Sequence, residues 1–183
     1  AHSPADWERV MAVNARGTFN CAHCAVPILR EQGRGAIVNT TSGAFWEGTE
    51  NVAAYAASKA AVFALTLTLH SELERFGVTS NAIAPNATRT RMVESWIEQL
   101  VESGSGSEAE VVAEYGIQSP ENLAPLAITL CADAGRGISG HVFEVWGDRI
   151  HVVSPPTRGA GLEREGKTWS LASLAESLPK LTG

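Results

Sequence analysis

The stretch S-G-A-F-W-E-G-T-E-N-V-A-A-Y-A-A-S-K, Ser42 to Lys59, decides how this chain folds. Tyr55 and Lys59 are four residues apart, so on a helix they stand one above the other on a single face. Ser42 closes the run Ala36-Ile37-Val38-Asn39, which is bounded by Gly35 and by Thr40-Thr41-Ser42-Gly43. Nearly continuous apolarity over so short a run suits a strand buried on both faces, as in a parallel sheet. The stretch therefore reads as a strand end, a loop and a helix start. It brings a hydroxyl, a phenol and an ammonium together as a proton-transfer site.

Upstream, Ser3 is placed as an N-cap, with Pro4 at N1 and Asp6 at N3. Trp7, Val10, Met11, Val13, Phe19, Ala22, Ala25, Val26 and Leu29 follow at helical spacing, and Gly33 and Gly35 end the helix. Asn14, a poor helix former that bonds nearby backbone, marks a local distortion within it.

Downstream of the central stretch, a loop leads into a helix from about Val52 to Phe76, with Gly77 as its C′ residue. Val78 to Pro85 is the next strand. In the segment 91–118, Met92, Val93, Trp96, Ile97, Leu100 and Val101 form one apolar stripe, with Glu94, Glu98 and Glu102 on another face. Ser103 to Glu108 (SGSGSE) breaks it as a flexible link. Two readings fit: a surface helix packed on the core, or a mobile lid with its apolar side toward a substrate.

Ser119-Pro120 starts a helix to about Ala134, and Val142 to Val145 is a last strand ended by Gly147. In the tail, 148–183, Pro155-Pro156, Gly159 and Gly161 keep the first part irregular. Ser170 to Leu178 is then a short capped helix, with Trp169 and Leu174 as a hydrophobic staple and Pro179 after it. Strands alternating with helices imply a parallel α/β sheet with right-handed crossovers.

At 183 residues the chain suits one domain with a substantial core. A net charge of −6 argues against an electrostatic grip on nucleic acid, which needs a basic face. Three cysteines are no disulfide framework. Cys21 and Cys24 form a C-x-x-C around His23 but lack a second ligand pair at zinc spacing, so they read as buried helix residues and no metal is expected. The longest apolar run, Ala60 to Leu69, falls far short of the ~20 residues that span a bilayer. The cytoplasm is the expected compartment, without a membrane partner.

Four motifs occur in order: V-N-A-R-G-T-F (Val13 to Phe19), I-V-N-T-T-S (Ile37 to Ser42), Y-A-A-S-K (Tyr55 to Lys59) and N-A-I-A-P (Asn81 to Pro85). Together they strongly resemble the C-terminal half of a short-chain dehydrogenase/reductase over residues 3 to 147. The finer pattern is P-N-A, T-R-M, Ala124-Pro125-Leu126 and V-F-E-V-W-G. It looks like the dehydrogenase module of peroxisomal multifunctional β-oxidation enzymes and bacterial relatives handling hydroxyacyl thioesters or steroids.

The resemblance implies Tyr55 as acid/base, Lys59 as its modulator and ribose ligand, Ser42 as carbonyl positioner and Asn14 as anchor of a proton-relay water. Tyr55 and Lys59, with Pro85, Asn86, Thr88 and Thr90, would pack beside the nicotinamide and phosphates of NAD or NADP, NAD being slightly favoured by the subgroup. Asn86 stands where most relatives have glycine. The chemistry is coherent: two hydroxyls aimed at a carbonyl oxygen stabilise the charge that develops there, and a nearby ammonium favours the ionised form of a phenol.

The implied fold is the C-terminal portion of a Rossmann-type doubly wound parallel sheet, three strands with flanking helices, as residues 1–147. The glycine-rich βαβ units that hold the adenine half would be missing from the N-terminal side. The one G-x-G-x-x-G, at Gly135, Gly137 and Gly140, follows a helix and precedes a strand. That is the reverse of a phosphate cradle, so it reads as a turn. The expected function is an NAD(P)-dependent interconversion of secondary alcohol and ketone on a lipid-like substrate, in a homodimer or homotetramer.

Two other functions compete. One is a catalytically incompetent interaction module, pairing through the helices that begin at Ser3 and Val52, with Val62, Leu65 and Leu69 suited to burial on both sides. The other keeps Y-x-x-x-K for sugar-nucleotide epimerisation or dehydration.

Overall fold

The structure is a computed structural model that describes residues 3–162 and 168–182. Ser3 caps the first helix as its chemistry demands: its hydroxyl accepts from Asp6 N, and Pro4 fills N1 of α1 (Pro4–Val10). The helix does not run on uniformly. Met11–Arg16 widens into a π-helix, in which Gly17 N reaches back five residues to Ala12 O. α2 (Gly17–Gln32) follows, ending at left-handed Gly33. The distortion expected at Asn14 is this π segment.

Strand β1 (Gly35–Thr40) leads through a short helix α3 (Ala44–Glu47) into α4 (Ala53–Leu73), closed by a 3-10 turn (Glu74–Phe76) and left-handed Gly77. β2 is Val78–Pro85, and helices α5 (Arg91–Glu102) and α6 (Glu108–Glu114) form the segment after it. The helix expected from Ser119 to Ala134 is three pieces: a 3-10 turn (Pro120–Asn122), α7 (Ala124–Cys131) and a second turn (Asp133–Gly135). Gly137 and Gly140 then take positive φ, so the G-x-G-x-x-G is a helix-to-strand turn. β3 is Val142–Trp146.

Among the described residues the sheet has four strands, not three, in the order β1-β2-β3-β4. β1, β2 and β3 are parallel, and β4 (Arg149–Val153) returns antiparallel along β3. The reversal takes two residues, Gly147 and Asp148, with Trp146 facing Arg149. Gly147 has φ +59 while Asp148 keeps the ordinary sign, the pattern of a turn with glycine first. The first compact unit therefore runs through Val153 rather than ending at Gly147.

Alternation sends Ile37, Val78, Ala82, Ala84 and Val142 to one face, against α2 and α4, where Ala22, Phe63, Leu69 and Leu73 complete the core. Val38, Ile83, Phe143 and Val145 point the other way, onto Leu126, Ala127 and Leu130 of α7. Two buried polar bonds lock α4 to the sheet: Asn39 Nδ2 to Thr66 Oγ1 (2.9 Å) and Ser80 Oγ to Thr66 O (3.0 Å). Val62 and Leu69 are buried within this chain. The exposed apolar residues on the first helices are instead Trp7, Val13, Phe19 and Ile28. Cys21 and Cys24 are exposed rather than buried.

Residues 154–183 form a separate unit. Ser170 caps α8 (Leu171–Thr182), accepting from Ser173 N at 3.1 Å. Pro179 lies inside this helix instead of ending it, and the Glu176–Lys180 pair (3.0 Å) supports the same turn. No helix among the described residues is long and apolar enough to cross a membrane.

Candidate active site

The carboxyl ends of the parallel strands define one rim, where open α/β sheets bind ligands. Thr41 N donates to Ile83 O (2.8 Å), which puts Ser42, one residue further on, beside the end of β2. Ser42 Oγ accepts from Ala44 N (3.3 Å), turning the chain into α3.

The Tyr55–Lys59 turn of α4 is tied to this rim twice. Lys59 Nζ donates to Thr40 O (3.0 Å), and Thr41 Oγ1 donates to Lys59 O (2.8 Å). Lys59 Nζ stands 5.6 Å from the Tyr55 ring centroid. Tyr55 itself is 37% exposed, so its phenol is open to a ligand. Burial pushes the Lys59 ammonium below its usual range, because the charged form loses water that one carbonyl bond only partly replaces.

Asn14 reaches the same turn from the π segment. Its Nδ2 donates to Ser58 Oγ (3.0 Å), and Ser58 Oγ donates to Tyr55 O (2.7 Å). The Asn14 carbonyl accepts from Thr18 Oγ1 (2.7 Å). Ser42, Tyr55, Lys59 and Asn14 are thus held around one helical turn. Ser58, fully buried, and Thr41 complete the scaffold, although nothing in their spacing announces it.

The segment from Pro85 to Thr90 leaves the end of β2. Asn86 N donates to Val145 O (2.9 Å), and Thr88 Oγ1 turns back to Asn86 O (2.8 Å). Thr90 is exposed at the start of α5, without a side-chain cap bond. Among the described residues, Asn86 Nδ2 is a buried side-chain nitrogen with no hydrogen-bond partner. An orphaned donor here fits a segment whose remaining partner is a ligand acceptor.

The apolar stripe of α5 turns onto α6. Ile97, Val111 and Ile117 are buried together, with Val93, Leu100 and Val112 around them, and Trp96 meets Tyr115 edge-on. Of the stripe, Met92 is left 81% exposed. The segment is a two-helix unit in which α6 covers the stripe of α5. Ser107 caps α6 in a full capping box, and the hydrogen bond from Ser107 N draws the Glu110 carboxyl below the usual range. Arg89 joins the two helices by bonding Glu94 and Glu108, and its hydrogen bond lowers the Glu94 carboxyl.

The base of this unit depends on Gln118, which sequence reasoning missed. Buried, it donates from Nε2 to Val145 O (2.8 Å) and accepts from Gly147 N (2.9 Å). Its backbone pairs with Ala87 and Arg89.

With this geometry in hand, comparison with known proteins is informative. The family model described as enoyl-(acyl carrier protein) reductase matches residues 1–147. The chain belongs to the short-chain dehydrogenase/reductase family, of which that model is a branch. The hydroxyacyl-CoA dehydrogenase ChsB1 of Mycobacterium tuberculosis is 32% identical, the match covering 96% of this chain and 56% of that protein. A short-chain dehydrogenase crystal structure from Mycobacterium avium superposes with a TM-score of 0.79 at 33% identity, covering 98% of this chain and 57% of the other. A gluconate 5-dehydrogenase from Burkholderia cenocepacia, solved with NADP and tartrate, gives 0.70 at 27% identity, covering 80% of this chain and 57% of that one. The chain spans about half the length of the curated relatives it matches, 56% and 51% in two cases.

Proposed function

We propose that this chain carries the chemical half of an NAD- or NADP-dependent oxidoreductase that interconverts a secondary alcohol and a ketone on a hydroxyacyl thioester or steroid. The observation that carries the reading is the double tie of the Tyr55–Lys59 turn to the strand end before Ser42. Tyr55 Oη gives a proton to the substrate oxygen in reduction and takes it back in oxidation, while Ser42 Oγ donates a hydrogen bond to the same oxygen. Lys59 Nζ stands beside the Tyr55 ring, on the side where the nicotinamide ribose would lie. Asn14 holds the turn through Ser58 and anchors the water that returns protons to it.

The residues fit a nicotinamide. Asn86 Nδ2 is an unmatched buried donor in the segment assigned to it, and Lys59 Nζ retains N–H groups beyond its bond to Thr40. Pro85, Thr88 and Thr90 line that side. When bound, the nicotinamide supplies or accepts the hydride. The lipid-like substrate class draws support from the hydroxyacyl-CoA relative.

The test is turnover by the full-length gene product with NAD and NADP against a 3-hydroxyacyl thioester, a hydroxysteroid and a short alcohol. Tyr55→Phe is expected to lower kcat by about 10²–10⁴-fold while leaving dinucleotide binding in place. Equal turnover by Tyr55→Phe would sink the assignment. A stable oligomer blind to both dinucleotides would favour the interaction module.

A further inference from the structure

Gln118 joins the segment that leaves β2 to the end of β3, and it does so with every polar group it has. The residue is buried. Its backbone N–H donates to Ala87 O (2.9 Å), and its backbone carbonyl accepts from Arg89 N (2.8 Å). Its Nε2 donates to Val145 O (2.8 Å), and its Oε1 accepts from Gly147 N (2.9 Å).

These contacts converge on Asn86. Val145 O also accepts from Asn86 N (2.9 Å), so one carbonyl receives both residues. Ala87, the next residue along, is held by Gln118 N. The two segments lie close: a methyl built on Gly116 would stand 3.4 Å from Asn86 Nδ2.

Asn86 Nδ2 needs such support. A side-chain amide is oriented by the hydrogen bonds it makes, but this nitrogen is buried with no partner. Its aim is therefore set by the backbone that carries it. That backbone is held by Asn86 N on Val145 O, by Thr88 Oγ1 on Asn86 O, and by the Gln118 bonds on either side of Thr88. Thr88 and Gln118 form an isolated bridge rather than a ladder, so the Gln118 side chain is what fastens the pair to β3.

Packing alone does not call for an amide here, since Ile97, Val111 and Ile117 fill the neighbouring core with hydrocarbon. A buried amide is costly unless its groups are matched. Matched at both ends, it fixes direction, presenting a donor to Val145 and an acceptor to Gly147.

We infer that Gln118 is a positioning residue for the dinucleotide, given the proposed reading of the segment 85–90 as the nicotinamide side. It holds that segment on β3 so that Asn86 Nδ2 meets an acceptor of the bound cofactor.

The test is fluorescence titration of the full-length gene product with NADH and NADPH, in wild type, Gln118→Met, Asn86→Ala and the double variant. Methionine is close to glutamine in size and removes both side-chain bonds. Each single change should raise Kd about tenfold, roughly the worth of one hydrogen bond. Because the two residues act through one contact, the double variant should bind no more weakly than Asn86→Ala alone. A merely structural Gln118 would lower the folded fraction and leave the Kd of folded molecules as it was. A wild-type Kd in Gln118→Met, or effects of the two changes that multiply, overturn the inference while the functional reading stands. Failure of the wild type to bind either dinucleotide, or an Asn86→Ala that binds as tightly as wild type, overturns the reading of the segment and the role of Gln118 together. Should Gln118→Met not fold, Gln118→Asn, whose amide stops one carbon short, is judged by the same outcomes.

Discussion

Lys59 holds its charge in a half-buried turn, with the Thr40 carbonyl as its fixed partner. Burial lowers its pKa from the ordinary 10.5, so above that lowered value the unfolded chain binds the proton more tightly than the native one. Stability therefore rises with pH across the window that ends at 10.5, and below the window the whole penalty is present. Lys59→Met removes the penalty. The gain in its urea midpoint over wild type should be largest near pH 7 and fade toward pH 10.5. A gain independent of pH would mean that the cost is not the charge. Gly116 gives a second residue-scale prediction. It holds φ +58, and a methyl there would fall on Nε1 of Trp146. Gly116→Ala should cost about 1–3 kcal/mol and displace the indole, visible as a change in tryptophan emission.

At the scale of elements, Gln118 joins the α5–α6 unit to β3 by two side-chain bonds. Gln118→Leu leaves the half-buried Gly147 N–H unmatched, while Val145 O keeps its bond from Asn86 N, and should cost about 1–3 kcal/mol by urea denaturation. Amide exchange at Gly147 should accelerate with it. The catalytic set was legible because its signals are local: a tyrosine and lysine one turn apart, and a serine at the end of an apolar run. Ser58 and Thr41 were not, because their partners lie 44 and 18 residues away. Val13 and Phe19 stand at the helical spacing of the apolar residues around them, yet they are 69% and 53% exposed. The π segment explains this, since a wide turn rotates the faces that follow it and a 3.6-residue count loses phase there. β4 was missed although Gly-Asp between two branched runs is a hairpin signal, because Gly147 was read as a stop. The sealed helix pair α5–α6 shows the limit of an apolar stripe, which tells that something covers it but not what.

For the molecule as a whole, the division after Val153 makes a direct forecast. A chain ending there should keep the thermal midpoint of the longer one within about 2 °C, by calorimetry, since each unit carries its own contacts. A large drop would show that residues 154–183 stabilise the sheet. The two-residue reversal at Gly147 bears on how quickly such a sheet assembles. Gly35 must find Val78 and Ala82 must find Val142, 43 and 60 residues along the chain, whereas Val142 and Val153 are 11 apart. Loop-closure entropy makes the distant pairings the slow ones, while a hairpin closes in about 1–10 μs. β3 and β4 can therefore be paired before either distant strand arrives, presenting β2 with a ready ladder in place of a loose chain. Disturbing the Gly147 turn should then slow refolding more than it hastens unfolding.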